Sequence, residues 1–337
     1  MTNRERVRAS LDHRQPDRVP WNIRFTEPAR DAMAAYYGDA DFESKIGNCL
    51  HIMHTEPAEP AGSWREIRPG IWEDQFGVQW DRSIDRDIGN VCNVCITRDT
   101  LDGFQFPDPD EPTRFADHAD LIAKHHDDYH VTDLGFSLYE RAWTLAGMEP
   151  FLMAMVDDPP FAHALMDRIV EFNLRIIDNA CALPIDAMMF GDDWGQQGGL
   201  LMGPALWQEF IKPRIRRMYA RVKEHGKRVF IHSCGKVDEL FPELIECGLD
   251  VFNPFQPEVI DVFQAKRRYG DRLSFYGGIS TQKTLPYGTV GEVRDEVRRL
   301  VRSIGQDGGY IASPAHDVPR DAKPQNIAAM IETLQAQ

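Results

Sequence analysis

Two residues with metal-binding side chains stand two positions apart in the tetrad His232-Ser233-Cys234-Gly235. The tetrad follows the apolar run Arg228-Val229-Phe230-Ile231, which has the composition of a buried strand. In a parallel α/β barrel the catalytic groups lie where strands end, and a His-x-Cys pair there supplies two of the three protein ligands of an open zinc site. The third ligand has to come from another segment. His316, in Ser313-Pro314-Ala315-His316, is the best candidate.

Polar and aromatic residues follow the other apolar runs and are candidates for the remaining chemistry. Asp192 and Asp193 are candidate catalytic groups that would orient the substrate or exchange a proton, and Asp192 is also a candidate fourth zinc ligand. Both aspartates have an equally good structural interpretation as helix caps or ion-pair partners. Four residues at strand ends are candidates for substrate binding: Trp194, Asn253, Phe255 and Gln256.

The elements that would position these residues are a series of short apolar runs alternating with helix-length amphipathic segments, which is typical of parallel strands joined by crossover helices. The predicted strands of the C-terminal half are 185–190, 228–232, 250–253, 273–276 and 309–313. Because no G-x-G-x-x-G fingerprint opens any unit, a (β/α)₈ barrel is favoured over an open doubly wound sheet.

The N-terminal half is less regular. Residues 18–23 are a candidate first strand, and residues 64–80 show hairpin alternation on both sides of Pro69-Gly70. Residues 129–136 are a candidate further strand, before a helix at 139–147. No segment resembles a long linker, so we expect one domain over residues 1–337, with an antiparallel excursion over about 58–100.

Composition excludes several classes of partner. The net charge of −15, from 53 acidic and 38 basic residues, disfavours nucleic acid, whose phosphates need a basic surface. No run approaches ~18 apolar residues and the N-terminus lacks the apolar core of a signal peptide, so a cytoplasmic protein without membrane insertion is expected. Six cysteines in a chain of 337 residues favour a reducing compartment over a disulfide framework.

Two further groups have weaker chemical interpretations. Cys92 and Cys95 have C-x-x-C spacing without a second pair, so a structural role is favoured. His125, His126 and His130 flank two aspartates in a polar stretch, where a solvated surface is the simpler interpretation than a metal cluster.

Several segments together resemble the uroporphyrinogen decarboxylase superfamily over essentially the whole chain. They are residues 2–7 with 16–20, Gly191-Asp192-Asp193-Trp194-Gly195, the tetrad at 232–235 and Tyr276-Gly277-Gly278-Ile279. The His-x-Cys-Gly motif resembles more closely the zinc-dependent methyltransferases of this superfamily, which exchange methyl groups with corrinoid proteins. The resemblance implies a (β/α)₈ barrel with its cleft at the C-terminal ends of the strands.

Two departures from the family patterns bear on function. The coenzyme M methyltransferases of the group have a cysteine as third zinc ligand where His316 stands here, and two imidazoles with one thiolate leave a bound zinc more positive. Such a metal suits polarising an oxygen better than activating a thiolate. Residues 21–30 lack the Arg-Gln-Ala-Gly-Arg pattern with which the decarboxylase holds its tetrapyrrole.

The resemblance therefore implies a zinc methyltransferase that transfers a methyl group between a small O-, N- or S-methyl substrate and the cobalt of a corrinoid partner protein. A metal-independent decarboxylase and a non-catalytic ligand-binding barrel are the alternatives. The methyl donor, the direction of transfer and the oligomeric state are left open, with methoxylated aromatics weakly favoured by the aromatic candidates.

Overall fold

The computed structural model describes residues 1–58, 64–84 and 86–337. The described part of the chain contains strands β1 (Leu50–His54), β2 (Arg65–Arg68), β3 (Ile71–Glu73), β4 (Gln79–Asp81), β5 (Asn90–Val91), β6 (Tyr129–Leu134), β7 (Ala187–Gly191), β8 (Gly195–Gln196), β9 (Gly199–Leu200), β10 (Arg228–His232), β11 (Val251–Phe255), β12 (Ser274–Ile279) and β13 (Tyr310–Pro314). Seven of them form one parallel sheet in the order β1-β6-β7-β10-β11-β12-β13. The prediction of a parallel α/β barrel is confirmed.

Helices connect and cover these strands. They are α1 (Asn3–Leu11), α2 (Glu27–Tyr37), α3 (His118–Lys124), α4 (Tyr139–Ala146), α5 (Met148–Asp157), α6 (Pro159–Cys181), α7 (Gly203–Leu206), α8 (Lys212–Glu224), α9 (Phe241–Cys247), α10 (Val262–Tyr269), α11 (Thr284–Tyr287), α12 (Val290–Ser303) and α13 (Pro324–Gln335). A π-helical turn, Trp207–Ile211, joins α7 to α8, and short 3-10 turns lie at Phe42–Lys45, Leu101–Gly103 and Asp238–Leu240. No helix in these described ranges is long and apolar enough to cross a membrane.

The segment before the first strand closes the barrel. Trp21 forms a parallel bridge to Ala312 of β13, and its carbonyl accepts a hydrogen bond from Cys49 N–H (2.9 Å) beside β1. The expected strand at 18–23 is reduced to this bridge. Pro20 has no N–H to donate, and the Asn48 side-chain amide occupies both backbone groups of Ile23 at 2.9 Å, so a regular ladder does not form here.

The predicted C-terminal strands agree with the structure to within three residues at each end. Their side chains are almost all buried, because helices cover one face of a parallel barrel sheet and the barrel core covers the other. Val7 and Leu11 of α1 join Tyr129 and Phe230 in the interior cluster of the barrel. A capping box between Thr2 and Glu5 starts that helix.

The antiparallel excursion is also confirmed as a feature of the fold. Strands β2 to β5 form a separate antiparallel sheet, and β2 and β3 are joined at Gly70, whose φ of +74° suits glycine. Of the predicted range 58–100, residues 59–63 and 85 lie outside the described residues. The single-domain assignment stays a prediction.

Candidate metal centre and active site

Three ligand atoms converge at the carboxyl ends of the strands. His232 is the last residue of β10, Cys234 lies in the loop after it, and His316 lies two residues beyond the end of β13. One side-chain ligand atom from each residue lies within 4.8 Å of the others. The structure therefore brings together the three residues that the sequence selected as metal ligands.

His232 is held in a defined orientation by its neighbour on the next strand. Asn253 Nδ2 donates to the Tyr276 carbonyl oxygen (2.9 Å), so Asn253 Oδ1 faces His232 and lies 2.6 Å from its Nδ1. This contact places the imidazole proton on Nδ1 and leaves the Nε2 lone pair free. Nε2 lies 3.3 Å from Cys234 Sγ, so the free lone pair is on the side of the other candidate ligands.

The electrostatic surroundings of the cluster suit a bound cation. Burial raises the pKa of the Cys234 thiol, and the Asp193 and Glu140 carboxylates raise it further. His316 is exposed at the cavity mouth, yet the packing around its ring and the nearby His232 lower its pKa, which favours the neutral imidazole that binds a metal. A divalent cation would favour the thiolate form that these carboxylates disfavour, and a donor set of two imidazoles and one thiol fits zinc.

Asp193 lies next to this cluster. Its Oδ1 accepts a hydrogen bond from Cys234 N–H (2.8 Å) and is 4.0 Å from His232 Nε2. Asp193 therefore holds the loop that presents the cysteine, and its carboxylate also faces the cavity described below.

Asp192, its neighbour in sequence, points into the protein and is fully buried. Its carboxylate accepts hydrogen bonds from Glu140 N–H (2.8 Å), Leu138 N–H (3.3 Å) and Trp194 Nε1–H (2.5 Å). Burial raises the pKa of Asp192 to about 6 against the effect of these donors. The structure thus places Asp192 at the start of α4, outside the cavity lining.

A cavity of about 400 Å³ opens beside the cluster, with His232 and His316 in its wall. Its other functional groups come from loops, strand ends and the start of one helix. They are Arg24, Asp87, Asp133, Glu140, Asp193, Asn253, Tyr276 and Asp317. This volume lies at the lower end of the range for small-molecule pockets, so the cavity suits a compact ligand.

Of the four residues predicted to bind substrate, Asn253 lines this cavity and the other three do not. Trp194 is fully buried against Trp207, with ring centroids 5.6 Å apart. Phe255 is fully buried and stacks on Phe275 at 4.2 Å. Gln256 Oε1 accepts a hydrogen bond from Gly235 N–H (3.4 Å), which places it behind the metal loop.

Five charged residues of the cavity were missed from the sequence: Arg24, Asp87, Asp133, Glu140 and Asp317. Asp133 is the penultimate residue of β6 and Asp317 follows His316, so the rule that places functional groups at strand ends could have identified both. Arg24, Asp87 and Glu140 carry no such signal, because the first two belong to loops and Glu140 to the first turn of α4.

The structure also tests the interpretations of the histidines near residue 125 and of the cysteines. The expected solvated surface at His125, His126 and His130 is wrong for His130, which is fully buried on β6, with its ring 6.1 Å from that of His51. All six cysteines are free thiols, and Cys92 and Cys95 lie beside the antiparallel sheet.

Comparison with known proteins places this geometry in a family. The model of the family described as uroporphyrinogen decarboxylase (URO-D) matches residues 94–337. A uroporphyrinogen decarboxylase of Pseudomonas fluorescens is 24% identical over 254 residues, 72% of this chain and 69% of that protein. One of Thioalkalivibrio sulfidiphilus is 26% identical over 241 residues, 68% of this chain and 66% of that protein.

Among solved structures, a methyltransferase from Methanosarcina mazei superimposes with a TM-score of 0.72. The superposition covers 100% of this chain and 99% of that one, at 15% sequence identity. At this identity the likeness shows a shared fold over the full length of both chains.

Proposed function

Since the chain belongs to the uroporphyrinogen decarboxylase family, we propose that it uses the barrel of that family as a zinc-dependent methyltransferase. The methyl group would move between the oxygen, nitrogen or sulfur of a small substrate and the cobalt of a corrinoid held by a partner protein. The observation that carries the proposal is the convergence of His232, Cys234 and His316, with the Nε2 lone pair of His232 left free by Asn253. Either direction of transfer uses the same site.

These three residues would hold the metal, which is the number of protein ligands in catalytic zinc sites. When bound, zinc supplies a Lewis acid that stabilises the negative charge developing on the heteroatom that loses its methyl group. A methyl donor of this kind is otherwise unreactive, because the departing anion is unstable. The metal would therefore bind the heteroatom that loses its methyl group.

The chain's own residues prepare the reaction in three ways. Asn253 fixes the tautomer and the ring orientation of His232. Asp193 holds Cys234 N–H and presents a carboxylate to the cavity, where it would orient the substrate or accept its proton. The cavity opens beside His232 and His316, so a substrate bound in it lies next to the metal site.

Decarboxylation of a tetrapyrrole is the second candidate, because both named sequence relatives are uroporphyrinogen decarboxylases. The cavity does not favour such a substrate. Its described lining has one arginine, Arg24, to bind carboxylates, and this guanidinium is already 3.3 Å from Asp317. A porphyrinogen bearing many carboxylates would meet several carboxylates of the protein at like charge.

Zinc content tests the proposal first. We would measure zinc per chain by elemental mass spectrometry in the wild type and in His232→Ala/Cys234→Ala. A matched control, His126→Ala/Cys92→Ser, changes an exposed histidine and an exposed cysteine outside the cluster. We expect about one zinc per chain in the wild type and in the control, and a loss of zinc in the cluster variant.

Methyl transfer is then assayed with reduced cobalamin and a panel of methoxylated aromatics, methylamines and thioethers. The readout is the change in the cobalt absorption spectrum. Absence of metal after zinc is supplied under reducing conditions would refute the zinc mechanism. Turnover of a porphyrinogen by metal-free protein would establish the decarboxylase alternative.

A further inference from the structure

The cavity beside the metal cluster has a strong excess of negative groups. Its described lining contains five carboxylates and one guanidinium: Asp87, Asp133, Glu140, Asp193, Asp317 and Arg24. The positive charge of Arg24 is opposed by Asp317, 3.3 Å away. Burial, followed by Asp193 and Asp192, raises the pKa of Glu140 well above its usual range, so the negative charge of the cavity rests on the four aspartates.

Most of these carboxylates have a structural partner. Asp193 accepts from Cys234 N–H at 2.8 Å, and Asp87 accepts from Glu27 N–H at 3.2 Å. Asp133 is held more loosely. Its Oδ2 is 3.8 Å from Nδ1 of His54, a separation longer than a hydrogen bond, and 57% of the His54 side chain is exposed. Asp133 also interacts electrostatically with Arg24, whose nearest ion-pair partner is Asp317 at 3.3 Å.

Asp133 is nevertheless well placed to act on a ligand. It lies on β6 near its carboxyl end, its side chain is 15% exposed, and it lines the cavity that also contains His232. A carboxylate with this degree of burial interacts more strongly with a charged ligand than one at the protein surface does.

Aromatic rings form part of the wall near this carboxylate. Phe136 follows Asp133 by three positions and is packed against Trp80, with ring centroids 5.0 Å apart. Tyr276 contributes a second ring to the same lining. Aromatic rings attract cations, and the Arg141 guanidinium already lies 5.7 Å from the Phe136 ring centroid, so this part of the wall is compatible with a positively charged group.

From this arrangement we propose that the cavity selects a small methyl donor with a positively charged group, and that Asp133 binds that group. The inference rests on the proposed function, since it names the substrate class of the same site. The cation is a group separate from the methylated heteroatom, because that heteroatom needs a free lone pair to approach a metal. Donors that carry a carboxylate are disfavoured.

Binding measurements test the charge preference without relying on methyl transfer. Benzylamine, benzyl alcohol and benzoate have similar size and differ in charge, so they serve as unmethylated probes in titration calorimetry with the purified protein. We expect the wild type to bind benzylamine about tenfold more tightly than benzyl alcohol, and benzoate most weakly. Equal binding of the three probes, tighter binding of benzoate or no binding of any probe would overturn the proposal.

Variants of Asp133 test whether this residue is responsible for the preference for a positively charged probe. Asp133→Asn should remove the tenfold advantage of benzylamine and leave benzyl alcohol unchanged, while Asp133→Glu should keep most of it. Asp271→Asn, at an aspartate whose side chain is 74% exposed, is the matched control and should behave as the wild type. A similar loss of affinity for all probes in Asp133→Asn would show a structural role for Asp133 and contradict the inference.

Methyl transfer from the 4-methoxy derivatives of the same probes separates the two proposals. Transfer from 4-methoxybenzoate in preference to 4-methoxybenzylamine would support the methyltransferase and refute the charge preference. Charge-selective binding without methyl transfer from any donor, in protein that contains zinc, would uphold the cation site and refute the methyltransferase.

Discussion

Asn253 Oδ1 lies 2.6 Å from Nδ1 of His232, where two neighbouring strands of the barrel end side by side. The register pairs these two residues directly, so the contact follows from the sheet itself. The Asn253 Nδ2 group donates a hydrogen bond to the Tyr276 carbonyl oxygen on β12, the next strand of the sheet. Three adjacent strands thus determine which nitrogen of His232 is available as a ligand.

Replacing Asn253 should weaken metal binding without removing a ligand. In Asn253→Ala the His232 ring loses the acceptor that holds its orientation, and we expect zinc affinity to fall about 10- to 100-fold. Competition with a chromogenic chelator measures this. Asn179→Ala, which removes an amide bonded to Pro109 and Asp110 far along the chain, is the control. Equal zinc affinity in both variants would contradict the assigned role.

Asp193→Asn should separate the structural and chemical contributions of this side chain. The amide oxygen can still accept the hydrogen bond from Cys234 N–H, so folding and zinc content should stay close to the wild type. Loss of the carboxylate charge should lower the rate of methyl transfer by about 10²-fold if Asp193 accepts a proton or orients the substrate. Single-turnover transfer to cobalamin provides the measurement, and an unchanged rate would exclude both roles.

Asp192→Ala should act on stability. Three buried donors, the Leu138 and Glu140 amides and the Trp194 indole, would lose their acceptor, and we expect the free energy of unfolding to fall by about 3 kcal/mol. Urea denaturation of the zinc-free protein measures the change. A loss below about 1 kcal/mol would show that water replaces the carboxylate and that the site is less closed than the structure indicates.

Gly235→Ala should disrupt the metal loop. A Cβ at this position would lie 2.4 Å from the Gly195 carbonyl carbon and 2.5 Å from Gln196 N, and the φ of +87° is itself unfavourable for alanine. Gly226→Ala is the control, because its φ of +71° carries a similar penalty while a Cβ there meets open space. We expect zinc loss only in Gly235→Ala, together with a stability loss of several kcal/mol, against about 1 kcal/mol for the control.

The histidines on the outside of β1 and β6 should make stability depend on pH. His51 stacks on His125 with centroids 4.0 Å apart, and burial, assisted by His125 and His130, lowers the pKa of His51 from 6.5 to about 4. As pH falls from 6.5 toward 4, His51 takes up a proton in the unfolded chain before it does so in the folded protein, so the free energy of unfolding decreases. Below about pH 4 both states are protonated and this contribution no longer changes.

Urea denaturation between pH 7 and pH 4 tests this effect. His51→Asn should show a smaller decrease in stability than the wild type, whereas His126→Asn, at an exposed histidine, should follow the wild type. An identical pH dependence in all three proteins would contradict the contribution of His51.

Much of the fold could be predicted because its signals are local. Each C-terminal strand is an apolar run followed by glycine or polar residues, and the crossover helices have regular apolar spacing, so the β10 limits at Arg228 and His232 were found directly. The segment at 18–23 was harder, since whether it pairs as a strand depends on Pro20 and on the Asn48 side chain reaching it from elsewhere.

The sequence by itself determined which atoms are available for chemistry and that strand ends would present them. His232, Cys234 and His316 were identified this way, because only a few side-chain types bind zinc and parallel strands bring their carboxyl ends to one face. Nothing in the sequence distinguishes Asp192 from Asp193, since successive residues leaving a strand point in opposite directions and the reference direction is set by packing.

Tertiary structure decided the rest. It buried Asp192 at the start of α4, turned Asp193 toward the cavity and set Asn253 against His232 through the register of β10 and β11. It also brought Arg24 and Glu140 to the cavity from a loop and a helix. Such contacts join residues distant in sequence, and their distances depend on how the whole barrel closes.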